Sequence, residues 1–200
     1  MSTYTIPYVT TRTPRGERTV DLYSRLLEDR IVYLGTEIDD GVANALIAQL
    51  LHLESDNPDL PINLYLNSPG GSITAMLAVY DAMQYVAAPV ETTCVGQAAW
   101  TAAVLLAGGE PGRRTILPHS RVVLHQPATQ GRGTIPDLIL EAEEIARVRT
   151  LLEEILSRHT GRSAEQVRSD TDRDLVLTPE AAREYGIVDA VLQPRRLPGG

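Results

Sequence analysis

The amino-acid sequence predicts an α/β fold built as one domain. Short runs rich in β-branched residues alternate with longer runs of helical periodicity, the pattern of a sheet covered by helices. Gly, Pro, Asn and Asp punctuate nearly every junction between them. The 200 residues suffice for one substantial core, and no internal repeat or linker divides them.

Residues 1–19, ending in Arg12-Thr13-Pro14-Arg15-Gly16-Glu17-Arg18-Thr19, are rich in Thr and Arg with little periodicity, which reads as a mobile tail. Glu28 and Asp29 end a short helical segment ahead of the first strand. Arg30-Ile31-Val32-Tyr33-Leu34-Gly35 is β-branched and stops at glycine, so it reads as a strand. Asp39-Asp40-Gly41 opens an amphipathic helix reaching Leu53, with Val42, Ala45, Leu46, Ala48, Leu50 and Leu53 near helical spacing. Ser55-Asp56-Asn57-Pro58 ends it.

Ile62-Asn63-Leu64-Tyr65-Leu66 predicts a second strand, which runs into Asn67-Ser68-Pro69-Gly70-Gly71-Ser72 and a Ser72-capped helix to about Val86. By itself the Pro-Gly-Gly loop reads as a turn that needs glycine, with glycine amides left free at a helix start. A β-leaning run over 90–95 then meets Gly96, and an alanine-rich helical run begins within five residues. A strand entering a helix through small residues gathers free N–H groups and the positive end of a helix at one spot, an arrangement suited to an oxyanion.

Residues 113–117 and 121–125 read as short strands around Pro118-His119-Ser120, and residues 131–133 as a flexible joint. The longest periodic segment runs from Pro136 to His159, with Leu138, Ala142, Ile145, Val148, Leu152 and Ile155 in one stripe. It is either an internal core helix or an oligomerisation element, because apolar residues also occur at Ile139 and Leu151. Ser163-Ala164-Glu165-Gln166 resembles a capping box. Thr178-Pro179-Glu180 opens a last helix that stops at Gly186, residues 187–192 form a final strand, and residues 194–200 are a tail.

Composition excludes several chemistries. The formal charge of −8 argues against a nucleic-acid partner. All 18 basic residues are arginine, which rules out a Ser–Lys dyad, a Schiff-base lysine and a P-loop lysine. Cys94 is the lone cysteine and points to a reducing, cytoplasmic setting. No apolar run is long enough to cross a bilayer, and Met1 to Tyr8 lack the apolar core of a secretory signal. His52, His119 and His159 show no spacing that suggests a metal site, and no cofactor is indicated.

Gly96-Gln97-Ala98-Ala99, His125-Gln126-Pro127 and Asp172-Arg173-Asp174 together resemble the three signatures of the Clp protease proteolytic subunit family. The resemblance runs from about Arg15 to Gln193. It implies the crotonase-like ββα superhelix with a protruding handle helix, here about residues 126–159, on a Clp protease-like domain over 20–193. Residues 1–19 then become an axial-loop segment, since Arg15-Gly16-Glu17-Arg18 and Asp21-Leu22-Tyr23-Ser24-Arg25-Leu26-Leu27 match the family's entry into its first helix. It also implies a barrel of two seven-membered rings, homomeric or mixed with an active paralogue, that serves an AAA+ unfoldase in ATP-dependent protein degradation.

The family's nucleophilic serine follows Gly-Gln-Ala-Ala; here that residue is Trp100. His125 and Asp174 keep the positions of base and orienting acid, 25 residues after Trp100 and 49 after His125. Taken singly, a strand histidine or a loop aspartate is more often structural. Gly71 and Thr101 match the oxyanion amides. Tyr65, Tyr85 and Leu192 match the unfoldase-docking pocket, whereas Asn63, Thr93 and Thr115 stand where the family usually has apolar or aromatic residues. If unpaired, those polar atoms weaken burial of an apolar guest by about 1–3 kcal/mol. Indole offers an N–H donor and no usable nucleophile. The first expectation is therefore a catalytically silent structural or regulatory subunit. An active serine-type endopeptidase that works despite Trp100, and a crotonase-like acyl-CoA enzyme on the same fold, are the alternatives.

Overall fold

The computed structural model describes residues 5–13, 16–125 and 134–193. The chain begins with the strands β1 (Tyr8–Thr13) and β2 (Gly16–Asp21), then α1 (Leu22–Glu28), β3 (Ile31–Leu34), α2 (Asp40–Asp56), β4 (Ile62–Ser68) and α3 (Ile73–Tyr85). It continues through β5 (Val90–Ala99), α4 (Thr101–Ala107), β6 (Arg114–Ile116), β7 (Arg121–Leu124) and α5 (Ile135–Thr160). The last elements are α6 (Ala164–Asp170), β8 (Leu175–Leu177), α7 (Pro179–Tyr185) and β9 (Ala190–Val191).

The main sheet runs β3-β4-β5-β6-β9, with β7 also pairing with β5 and β8 pairing with β7. Its pairs are parallel except for β7 with β8. β5 is the axis because, opposite its β4 edge, it serves two further neighbours: Thr92, Thr93 and Cys94 pair with β6, and Gln97, Ala98 and Ala99 pair with β7. The change of partner falls at Gly96, whose φ is +92°. A Cβ there would come 2.7 Å from Asn67 Oδ1. Glycine supplies both the dihedral and the clearance.

Burial alternates along β4 and most of β5, and Leu64 and Leu66 share one buried core with Leu46 and Leu50 of α2 and Met76 and Val79 of α3. Every residue of α4 is buried, as its alanine-rich sequence allows. Side chains of Asp21, Asp39, Ser72, Ser163 and Thr178 cap their helices by accepting from first-turn amides. Each such cap contributes about 1 kcal/mol.

Most predicted elements appear within a few residues of their predicted ends. Four differ. Residues expected to form a tail pair instead as an antiparallel hairpin, Tyr8 with Asp21 through Thr13 with Gly16. Alternation there is masked by polar Thr and Arg, and the exposed hairpin has no core face to mark it. β5 runs on to Ala99 because pairing with β7 extends it. β8 was not foreseen, and the final strand shrinks to Ala190 and Val191 because Ile187 and Val188 close the turn after α7. Residues 126–133, which include Gln126, Pro127 and the predicted joint, lie outside the described residues, as do residues 194–200.

The handle segment folds as α5, one residue longer at each end than its periodicity predicts, with a capping box at Thr134 and Asp137 and a left-handed Gly161 as its stop. Its two halves differ. Ile135 is 75% and Leu140 65% exposed, while Leu152, Ile155 and Leu156 are buried against the domain.

Candidate active site

Trp100 sits at the sharp junction between β5 and α4, with φ +55° and ψ −114°. A non-glycine residue in such a region stores roughly 1–3 kcal/mol of strain and persists only where its surroundings hold it. Three things hold it here. Its amide donates to the Val123 carbonyl at 2.7 Å, α4 is buried along its whole length, and the indole stacks on the His125 ring. The ring centroids lie 4.3 Å apart with planes 11° from parallel. His125 directly follows β7, which β5 pairs in register, so the sheet itself brings the two rings together.

The Pro-Gly-Gly loop closes on the same junction. A Cβ on Gly70, whose φ is +99°, would lie 2.8 Å from the Ala99 carbonyl and 3.2 Å from Trp100 Cβ. Gly71 has φ +151° and pairs with Ile38 in an isolated bridge, where a side chain would strike the Ile38 backbone. The bridge is made by Ile38 N–H to Gly70 O and Ser72 N–H to Ile38 O, both 2.8 Å. The amides of Gly71 and Thr101 take no part in it, and neither donates to an acceptor among the described residues. Thr101 directly follows Trp100, and Gly71 follows Gly70, where an added Cβ would lie 3.2 Å from Trp100 Cβ. The Thr101 hydroxyl is wholly buried and has no hydrogen-bond partner among the described residues.

The antiparallel ladder of β7 and β8 ends with Leu124 opposite Leu175, so His125 and Asp174 adjoin its last pair. Asp174 is exposed and makes no hydrogen bond or ion pair with a described residue. Asp172 is the carboxylate engaged nearby, at 3.1 Å from Arg149 Nη2. Arg149 Nε in turn donates to the buried Glu153 at 2.7 Å, and Arg168 Nη2 reaches the other Glu153 oxygen at 2.7 Å. Burial raises the Glu153 pKa, but hydrogen bonds from Arg168 and Arg149 outweigh it and hold the carboxyl below its ordinary value. Behind the stacked rings lies a cavity of about 20 Å³, with Trp100, His125, Arg149 and Glu153 in its wall. The Arg149–Glu153 pair was missed in the sequence, although its i,i+4 spacing on the long helix was the available signal.

Comparison with known proteins gives the family. The family profile described as Clp protease matches residues 14–195. The chain belongs to the Clp protease family. This Clp protease homologue is 67% identical to the ATP-dependent Clp protease proteolytic subunit 1 of Nocardia farcinica, over 98% of this chain and 100% of that one. It is 61% identical to subunit 4 of Rhodococcus jostii, over 96% and 99% of the two chains. It is 60% identical to subunit 2 of Streptomyces avermitilis, over 98% of each.

The residues predicted to dock an unfoldase are drawn from the sheet, the end of α3 and the segment after β9. Tyr65, Thr93 and Thr115 stand side by side across β4, β5 and β6, next to Ala190 of β9. Tyr85 is 81% exposed, and Leu192 is exposed just beyond β9. The Thr93 and Thr115 hydroxyls hydrogen-bond each other at 2.8 Å. They are therefore not the unpaired polar atoms that the sequence left open, and the corresponding penalty for an apolar guest does not arise from them. Among the described residues no cluster of three or more His, Cys, Asp or Glu side chains could hold a metal ion, and no helix is long and apolar enough to cross a membrane.

Proposed function

We propose that this protein is a catalytically silent proteolytic-subunit homologue, a structural or regulatory member of a barrel-shaped, ATP-dependent degradation complex. The observation that carries the reading is Trp100 at the strained strand–helix junction where family resemblance expects serine, with its indole against His125. His125, Asp174 and the amides of Gly71 and Thr101 are the proposed remnants of base, orienting acid and oxyanion site. Without an Oγ no acyl-enzyme can form.

The exposed apolar residues at the start of α5 support assembly into two stacked rings. An active paralogue in the same barrel would supply the cleavage. Tyr65, Tyr85 and Leu192 are the proposed docking positions for an AAA+ unfoldase, which the hydroxyl-lined floor of Thr93 and Thr115 makes less apolar. The single cysteine suits a reducing cytoplasm.

The test is restoration. The purified chain should turn over no fluorogenic peptide and take no serine-directed covalent probe. Trp100→Ser, alone or co-assembled with an active paralogue, should gain peptidase activity that His125→Ala abolishes, because triad members act as a unit. Turnover by the unmodified chain would sink the reading. Glutamate at Leu138 and Ile145 should reduce the assembled mass seen by light scattering; an unchanged mass would remove α5 from the assembly surface.

A further inference from the structure

We propose that the Trp100 indole is a built-in plug that occupies an apolar side-chain pocket and covers His125, so that the site is closed to ligand as well as lacking a nucleophile. The proposal rests on the silent-subunit reading and extends it from reaction to binding. Beside the stacked rings, Val104, Leu124, Leu152, Leu156 and Val167 wall the cavity, and all five are buried. The space of about 20 Å³ that remains admits roughly one water molecule and no side chain. The half-buried indole forms part of the wall of that space, stacked on His125.

The charges at the far wall do not oppose an apolar guest, since Glu153 is matched by Arg149 and Arg168. With the indole gone, the pocket becomes a slot floored by an imidazole and walled by aliphatic groups. That shape suits a planar aromatic side chain of a polypeptide, the class of group that stacks on the imidazole now.

The backbone makes the plug a matter of side-chain rotation. The amide bond to Val123 and the close approach of Gly70 fix where Trp100 Cβ lies. Only rotation about the side-chain bonds can lift the ring, and lifting it gives up the stack on His125. A ligand must therefore compete with an indole already tethered at the site, which lowers apparent affinity by the fraction of time the pocket is open.

The experiment uses the full chain in its native assembly and N-acetyl-phenylalanine amide as probe. In the unmodified protein, histidine-selective NMR should show the His125 ring protons displaced by the indole ring current, and calorimetry should show no saturable binding of the probe. Trp100→Ala, with circular dichroism and mass unchanged, should bind the probe saturably, and adding His125→Ala should weaken that binding by roughly 2- to 10-fold, the range for one stacked pair. Undisplaced His125 resonances, binding to the unmodified chain as tight as to Trp100→Ala, or a folded Trp100→Ala without binding would each overturn the proposal. Peptide turnover is the separate readout for catalytic silence, so plug and silence can fail independently.

Discussion

Two polar clusters at opposite sides of α4 are built to different standards. At its C-terminal side, Arg114 is buried and every arm of its guanidinium is engaged. Nε and Nη2 grip Asp189 at 3.0 and 2.6 Å, and Nη1 donates to the carbonyls of Ala107 and His159 at 3.2 and 2.9 Å. One side chain thereby ties the ends of α4 and α5 to β6 and to the turn before β9. Burial raises the Asp189 pKa, yet the Arg114 hydrogen bonds more than offset it and keep the carboxyl below its ordinary value. At the N-terminal side of the same helix the standard is lower. Trp100 is strained, the Thr101 hydroxyl has no described partner, Asp174 stands exposed, and two amides point at no described acceptor. A fully satisfied network is what stability selects. Strain and unmet donors at one junction are what a site retains when chemistry or ligand binding shaped it.

The contrast predicts opposite responses to mutation. Arg114→Met strips the guanidinium from Asp189, which keeps only backbone donors such as the residue-114 amide, and leaves two carbonyls without those donors. It should lower unfolding free energy by about 3–5 kcal/mol, read as a shifted urea midpoint with unchanged slope. A loss of under about 1 kcal/mol would mean that the network is ornamental and the comparison fails. Thr101→Val keeps the shape and removes a buried hydroxyl that has no partner among the described residues. It should stabilise the protein by about 1 kcal/mol in the same assay. Destabilisation of similar size would reveal a partner for the hydroxyl and narrow the gap between the two clusters.

The smallest effect concerns His159, whose ring nitrogen lies 2.8 Å from the Tyr80 hydroxyl. Burial, with Arg114 and Arg158 adding to it, lowers its pKa below the usual 6.5. The native state therefore binds its proton less readily than the unfolded chain. This contribution to stability is complete above about pH 6.5 and is lost as pH falls from there through the native pKa. His159→Gln should flatten the melting temperature across that interval. An unaltered slope between pH 6.5 and 5 would move the acid sensitivity elsewhere. Glu153 has the carboxylate form of the same linkage. Its stabilisation is present above the ordinary value of 4.5 and disappears as pH drops through its lowered native value.

Much of this molecule could be read along the chain. Alternation located β4, the Ser72 and Thr178 caps located helix starts, and the stripe from Leu138 to Ile155 located α5, because each depends on neighbours within a few residues. The residues of the candidate site were also legible, since Gly70, Gly71, Trp100, His125 and Asp174 stand in motifs with characteristic spacing. The hairpin of β1 and β2 and the brief β8 were not, because their pairing partners carry no periodic apolar face. Burial of Glu153 was equally hidden, as nothing local distinguishes it from the exposed Glu154.

What the sequence determined by itself is the inventory: a Clp protease-like chain with no lysine, a tryptophan directly after Gly-Gln-Ala-Ala, and helices that know their own ends. Only the tertiary structure decided what that tryptophan does. Register between β5 and β7 sets Trp100 beside His125, and the positive φ at residue 100 aims one ring at the other. The mutual pairing of Thr93 with Thr115 and of Arg114 with Asp189 belongs to the same class of fact. These contacts join residues far apart in sequence, and their energies depend on distance and burial, which no local pattern encodes.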